Sequence, residues 1–215
     1  KINLTEKELE KKGIEILEGN DRPVFVLMAA TNIDRIVTFY KIANATKRLF
    51  LLDTYAGKIT DTIGGNIPNP RTFSNVRIFL TNQDKYEILK NYPQNKIGKN
   101  EIANSNFMMC IRSSMKQYLE NRSKEFSFEG CVLFYSMWEG YKKQENMKEF
   151  LKFMEEKGVK TISLHTSGHA DEKDFDKLIK KVEPKIIIPV HTENSEWFKR
   201  YENCEVICDK NIIKI

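Results

Sequence analysis

Continuous apolar runs of strand length, each followed by a stretch of helical spacing, constrain this chain more than any other feature. Val24 to Met28 and Leu49 to Leu52 are apolar at every position, so a strand there has to be covered on both faces. Ile33 to Ala45, between them, repeats its apolar residues at helical intervals. The alternation returns in the last third: strands at Cys131–Tyr135, Thr161–Leu164, Lys185–Val190 and Glu205–Ile207, and helices at Gln144–Glu156, Asp174–Val182 and Ser195–Tyr201. An amphipathic helix is predicted over Leu4–Leu17. In the less regular middle, Val76–Leu80 and Phe107–Ile111 read as strands, and Gln83–Leu89 and Ser114–Leu119 as helices. Gly64-Gly65 and Pro68-Asn69-Pro70 mark a loop between Asp61 and Asn75. Strands alternating with helices predict an α/β fold with largely parallel sheets.

Composition narrows the class. With 215 residues, 40% hydrophobic and 30% charged, the chain has an ordinary globular mixture and neither a disordered nor a fibrous one. Its longest apolar run, Val24 to Ala30, falls far short of the roughly 20 residues of a membrane span. The four cysteines (Cys110, Cys131, Cys204, Cys208) lack Cys-x-x-Cys spacing and sit mostly in apolar, strand-like surroundings; reduced thiols in a cytoplasmic protein are expected. A net charge of +5 permits a polyanionic partner without demanding one. The opening Lys1-Ile2-Asn3, without an initiator Met, leads us to expect a piece of a longer protein.

Chemistry-bearing residues gather just past the C-terminal ends of the predicted strands, the edge where parallel α/β sheets bind ligands. Thr31 and Asn32 follow the first strand, Asp53 the second and Ser136 the Cys131 strand; His165 to His169 and His191 follow two later strands. Loop, helix and strand connect His169 to His191, making a βαβ unit with both histidines on one edge; if its two strands are neighbours, about 4.8 Å apart, both imidazoles could reach one site. Metal binding or acid–base work fits such a pair, as does a pair of hydrogen-bonded loop histidines without a catalytic task. His165 reads as a structural residue at a strand end. Thr31-Asn32 ahead of a helix could present backbone N–H groups to a phosphate, with Arg35 adding a charged fork; a plain helix cap with a surface arginine is the alternative. Ser136 to Tyr141 could offer a hydroxyl and stacking aromatics to a nucleic acid, or Trp138 and Tyr141 could simply pack.

Leu164-His165-Thr166-Ser167-Gly168-His169-Ala170, followed after a helix by Ile188-Pro189-Val190-His191-Thr192-Glu193, resembles the closing motifs of the β-CASP branch of metallo-β-lactamase-fold nucleases, to which ribonuclease J belongs. Phe25 to Arg35 and the Ser136–Tyr141 stretch resemble elements of the β-CASP insert. The resemblance implies a β-CASP domain over residues 1–158 and the C-terminal part of a metallo-β-lactamase domain over residues 159–215. It implies a zinc-dependent hydrolase cleaving RNA, with His169 beside the scissile phosphate, His191 a zinc ligand, and Ser167 and Gly168 in a phosphate-contacting loop. Thr31, Asn32, Arg35 and Ser136 would line the same track. Thr192 stands where many relatives carry Gly. The family's His-x-His-x-Asp-His motif is nowhere among the 215 residues, which hold three histidines in all. The resemblance therefore implies that the remaining metallo-β-lactamase segment of the same protein is a partner. It also implies that the zinc site is incomplete in this chain, which alone is expected to be inactive. It leaves open a homo-oligomer, and a rival reading as a non-catalytic nucleic-acid-binding or assembly module.

Overall fold

The computed structural model describes residues 4–81, 84, 90–166, 172–190, 192 and 194–208. The chain forms two compact units, whose described residues run 4–166 and 172–208.

The first unit is built on a six-stranded parallel sheet in the order β3-β2-β4-β1-β5-β6. Its strands are β1 (Val24–Leu27), β2 (Leu49–Asp53), β3 (Val76–Phe79), β4 (Phe107–Ile111), β5 (Val132–Tyr135) and β6 (Lys160–Ser163). The apolar runs do what a doubly covered sheet requires. Val24 and Val26 enter one core with Phe50, Leu52, Met108 and Phe134, while Phe25 and Leu27 enter the other with Leu51, Met109 and Leu133. The first core is closed by α1 (Glu6–Ile16) and α2 (Ile33–Ala45) through Leu9, Ile36, Phe39 and Ile42, and by α3 (Thr54–Ile63) through Ala56. The second is closed by α4 (Lys99–Ala103), α5 (Lys116–Arg122) and α6 (Glu145–Glu156), through Ile102, Leu119, Phe150 and Met154. Connections from β1 to β3 travel one way along the sheet, whereas β5 and β6 extend it the other way from β1. That reversal places a switch point at the C-terminal ends of the central strands.

The second unit contains α7 (Glu172–Val182) and a two-stranded parallel sheet of β7 (Ile186–Ile187) and β8 (Glu205–Val206), joined by a 3-10 helix over Ser195–Arg200. Phe198 is its one buried hydrophobic residue among those described, and Phe175 and Trp197 stand edge-on to it at 5.3 and 5.0 Å. Leu178, Val182, Ile186, Ile188 and Val190 are exposed.

The expected α/β class and parallel sheet are present. The expected division at residue 158 differs from these compact units, because β6 hydrogen-bonds to β5 and so belongs with the first. Helix α3 falls where no element was predicted: Asp53 caps it, but Gly57 and three threonines weaken its helical signature. The short helix α4 went unpredicted too. The strand expected over Lys185–Val190 shrinks to two residues, and the predicted Gln83–Leu89 helix lies outside the described residues. Cys110, Cys131, Cys204 and Cys208 are free thiols. No helix among the described residues is long and apolar enough to cross a membrane.

Candidate functional site

At the C-terminal edge of the first unit's sheet, a buried polar cluster ties α1, α2, β5 and the residues after β6 together. Arg35 lies on the same stripe of α2 as Phe39 and Ile42, four and seven residues on, and is 1% exposed. Its Nε and Nη2 donate to the Glu6 carboxylate at 3.2 and 3.1 Å, and Nη2 also donates to the Thr166 carbonyl at 3.1 Å. Nη1 donates to the Ser136 hydroxyl and approaches His165 Nδ1 at 3.3 Å. Guanidinium can only donate, so His165 Nδ1 accepts, which fixes a neutral imidazole with its proton on Nε2. Burial, and secondarily the Arg35 charge, hold the His165 pKa below its ordinary value. Thr38 donates to the second Glu6 oxygen at 2.6 Å, and the Thr166 hydroxyl donates to the Leu4 carbonyl.

This arrangement shows where the sequence-predicted residues lie. Asn32 caps α2, its Oδ1 accepting from the Arg35 amide at 3.1 Å, and its own amide donates to the Ala29 carbonyl at 3.1 Å. Thr31 is exposed beside it. Ser136 is 5% exposed, and its amide continues the ladder by donating to the Leu27 carbonyl at 2.9 Å. Arg35 is thus not a surface arginine. Its donors are engaged inside the protein, and what it contributes to the edge is the position of Ser136 and of residues 164–166. Ser167, Gly168, His169 and His191 lie outside the described residues. The strands expected to pair beside the two histidines belong to different sheets: β6 is the edge of the six-stranded sheet, and β7 pairs with β8. Among the described residues, no group of three or more His, Cys, Asp or Glu side chains is placed to hold a metal ion, so those residues do not by themselves fit a zinc centre.

A second cluster sits at the ends of β2 and β4. Asp53 is 3% exposed, caps α3 by accepting from the Ala56 amide at 2.9 Å, and pairs with Arg112. Desolvation raises its pKa against the opposing help of that amide and of Arg112. Asp84 accepts from the Thr81 amide at 2.6 Å and from its hydroxyl at 2.7 Å, and also accepts from the Thr54 hydroxyl. Asp53, Arg112, Met28, Ile36, Cys110 and Met115 surround a narrow crevice at the switch point. Sequence reasoning noted Asp53 but missed Glu6, Thr38 and Arg112. The helical spacing of Arg35 with Phe39 and Ile42 carried the signal that the arginine is buried and therefore paired; nothing in the sequence named Glu6, 29 residues away, as its partner.

Residues 158–202 match the family model of the Zn-dependent metallo-hydrolase RNA specificity domain. That span takes in β6, α7, β7 and the 3-10 helix. Over 98% of its length the chain is similar in fold to the crystal structure of a protein of unknown function from Enterococcus faecalis V583, with a TM-score of 0.69 and 19% sequence identity. It spans 45% of that longer chain. No curated protein matches.

Proposed function

We propose that this chain is part of a zinc-dependent metallo-hydrolase, a nuclease that cleaves RNA phosphodiester bonds, and that it supplies the RNA-binding edge of that enzyme. The observation that carries the reading is the match of residues 158–202 to an RNA-specificity domain of zinc-dependent metallo-hydrolases, since this span contains both His169 and His191. In this reading the chain comprises a β-CASP domain over residues 1–158 and the C-terminal part of a metallo-β-lactamase domain over residues 159–215. His169 acts at the scissile phosphate and His191 is this chain's zinc ligand, the remaining ligands coming from the rest of the metallo-β-lactamase segment. Zinc would supply an activated water.

The roles of the chain's own residues follow from chemistry at a sheet edge. Thr31, Asn32, Ser167 and Gly168 line the phosphate track, and Ser136 shapes it from its buried position. Arg35 positions Ser136 and His165 rather than meeting the substrate. The exposed apolar side chains of the second unit, Leu178, Val182 and Val190 among them, support a further protein segment packing on that unit. Phosphate contacts give affinity that falls steeply with salt and little with sequence. Titrating labelled single-stranded RNA into the chain at two salt concentrations tests the reading. Salt-sensitive binding is expected, with Thr31→Glu weakening it; RNA binding no tighter than that of an unrelated protein of equal charge would refute it. In the whole protein, His191→Ala is expected to lower bound zinc and abolish RNA cleavage. Undiminished RNA binding with no cleavage in a zinc-loaded whole protein would favour the non-catalytic binding module instead.

A further inference from the structure

The turn that follows β5 displays two aromatic rings to solvent on a rigid base. Trp138 is 65% exposed and Tyr141 38%, with ring centroids 5.4 Å apart and planes at 87°, so the pair forms an open corner. The backbone under it is fixed. The Trp138 carbonyl accepts from the Tyr141 amide at 3.0 Å and from the buried Tyr135 hydroxyl at 2.9 Å. Ser163 on β6 donates to Glu139 at 2.8 Å, and Lys142 donates to Ser163 at 2.9 Å while its ammonium stands 4.4 Å from the Tyr135 ring centre. The indole lies directly against Gly140: a Cβ there would come within 2.2 to 2.5 Å of three atoms of its six-membered ring. Gly140 and Tyr141 therefore seat the indole, and most of its surface remains open to solvent.

A tryptophan gains nothing for folding by such exposure, since burial is where its stabilisation comes from. The surroundings identify the partner. Glu139, Lys143, Gln144 and Glu145 are exposed around the two rings, so the aromatic surface is a small island and not the several-hundred-Å² apolar patch of a protein interface. Lys142 is held by Glu139 at 2.7 Å and by Ser163, while the exposed Lys143 adjoins the corner, which projects from the same strand end as Ser136. Flat aromatic surface beside an exposed lysine at a ligand-binding edge is the chemistry of a single-stranded nucleic acid, whose bases stack while a phosphate meets the cation.

We propose that Trp138 is a stacking platform for one nucleobase of single-stranded RNA, walled by Tyr141, with Lys143 facing the adjoining phosphate. This rests on the RNA reading above and adds to it a specific base-binding position. The test uses the 215-residue chain and fluorescently labelled oligouridine of about 12 nucleotides. Trp138→Ala is expected to weaken binding at least about fivefold, the loss of one base stack, while leaving the salt dependence unchanged. Trp138→Phe should recover most of the affinity. With an abasic ribose–phosphate oligomer, parent and Trp138→Ala should bind equally. Thermal melts should coincide for all three proteins, because the side chain is exposed. If the parent binds oligouridine and Trp138→Ala binds it as tightly, the stacking platform is wrong while the RNA reading stands. If the parent fails to bind oligouridine at low salt, both fall.

Discussion

Residues 4–166 and 172–208 bury their apolar residues to very different degrees. In the first unit, every strand of the sheet except the edge strand β6 is buried almost throughout, and helices close both faces with two cores. In the second, α7 has its apolar side chains on one stripe, yet Leu178 and Val182 on it are 56% and 61% exposed, and Val190 is 79% exposed. Among the described residues, a small aromatic knot around Phe198, with Arg200 over the Trp197 ring at 4.1 Å and paired to Asp176, is most of what packs there. The difference teaches that sequence pattern and burial are separate facts. An amphipathic helix specifies that an apolar face will be covered, and leaves open which chain covers it.

Dividing the chain makes the largest break between the two. Residues 1–167 expressed alone are expected to keep a cooperative thermal transition and the circular dichroism of an α/β protein, since both cores lie within them. Residues 168–215 alone are expected to show no cooperative transition, since Phe198 is the one buried hydrophobic side chain among their described residues, too little to offset chain entropy. A cooperative melt of the short piece would remove the contrast.

Within the first unit, the Arg35 cluster should be the costliest polar feature to disturb. Removing the guanidinium strands the Glu6 carboxylate, the Ser136 hydroxyl and the Thr166 carbonyl, and Glu6 is partly open to water, which moderates the loss. Arg35→Ala is expected to cost about 2–3 kcal/mol by denaturant titration. Arg35→Lys should recover little of it, because a point charge cannot meet partners on four sides. A loss of less than about 0.5 kcal/mol would mean that the cluster does not hold α1 and the strand ends together.

These same residues show how far the sequence could be read. Strands β1, β2 and β4 were legible almost to the residue, because a doubly buried strand leaves a continuous apolar run that few other structures produce. Helix α2 was legible from its period. Arg35, whose type suggests a charged fork at a phosphate or a plain surface arginine, is instead buried, as its helical spacing with Phe39 and Ile42 implies. The Glu6 partnership was not legible at all, being a contact between helices joined by a strand. Trp138 was legible as a residue type but not as an exposed one, since exposure depends on the turn that Gly140 and Tyr135 fix.

For His165, the sign of the pH dependence follows from burial and from the hydrogen bond that its Nδ1 accepts. Burial, and then the repulsion that protonation at Nδ1 would set up against Arg35, make the folded protein hold that proton less well than the unfolded chain, whose imidazole titrates near 6.5. Its contribution is fully present above that value and is lost as the pH falls through it toward the lower folded pKa. The melting temperature of the chain should drop between about pH 7.5 and about pH 5.5, and His165→Gln should flatten that part of the profile. An equally steep drop in the variant would move the pH dependence to other groups.

The smallest expected effect tests the comparison from its other side. If the apolar stripe of the second unit is uncovered in this chain, making it polar should cost almost nothing here. Leu178→Asp and Val182→Lys are each expected to change the chain's stability by less than about 0.5 kcal/mol, as exposed substitutions do, and to reduce self-association at high concentration. Ile42→Ala, in the first unit's core, should cost about 2–5 kcal/mol in the same assay. Under the proposed function, in which a further segment packs on this unit, the two outcomes would converge in the longer protein. A segment packed on α7 would make Leu178→Asp cost about 2 kcal/mol or more, because a carboxylate would then be buried without a partner. The same variant measured in the chain and in the whole protein thus reads out whether that face is covered. An Asp tolerated equally in both would mean that the stripe stays open to solvent even when the rest of the protein is present.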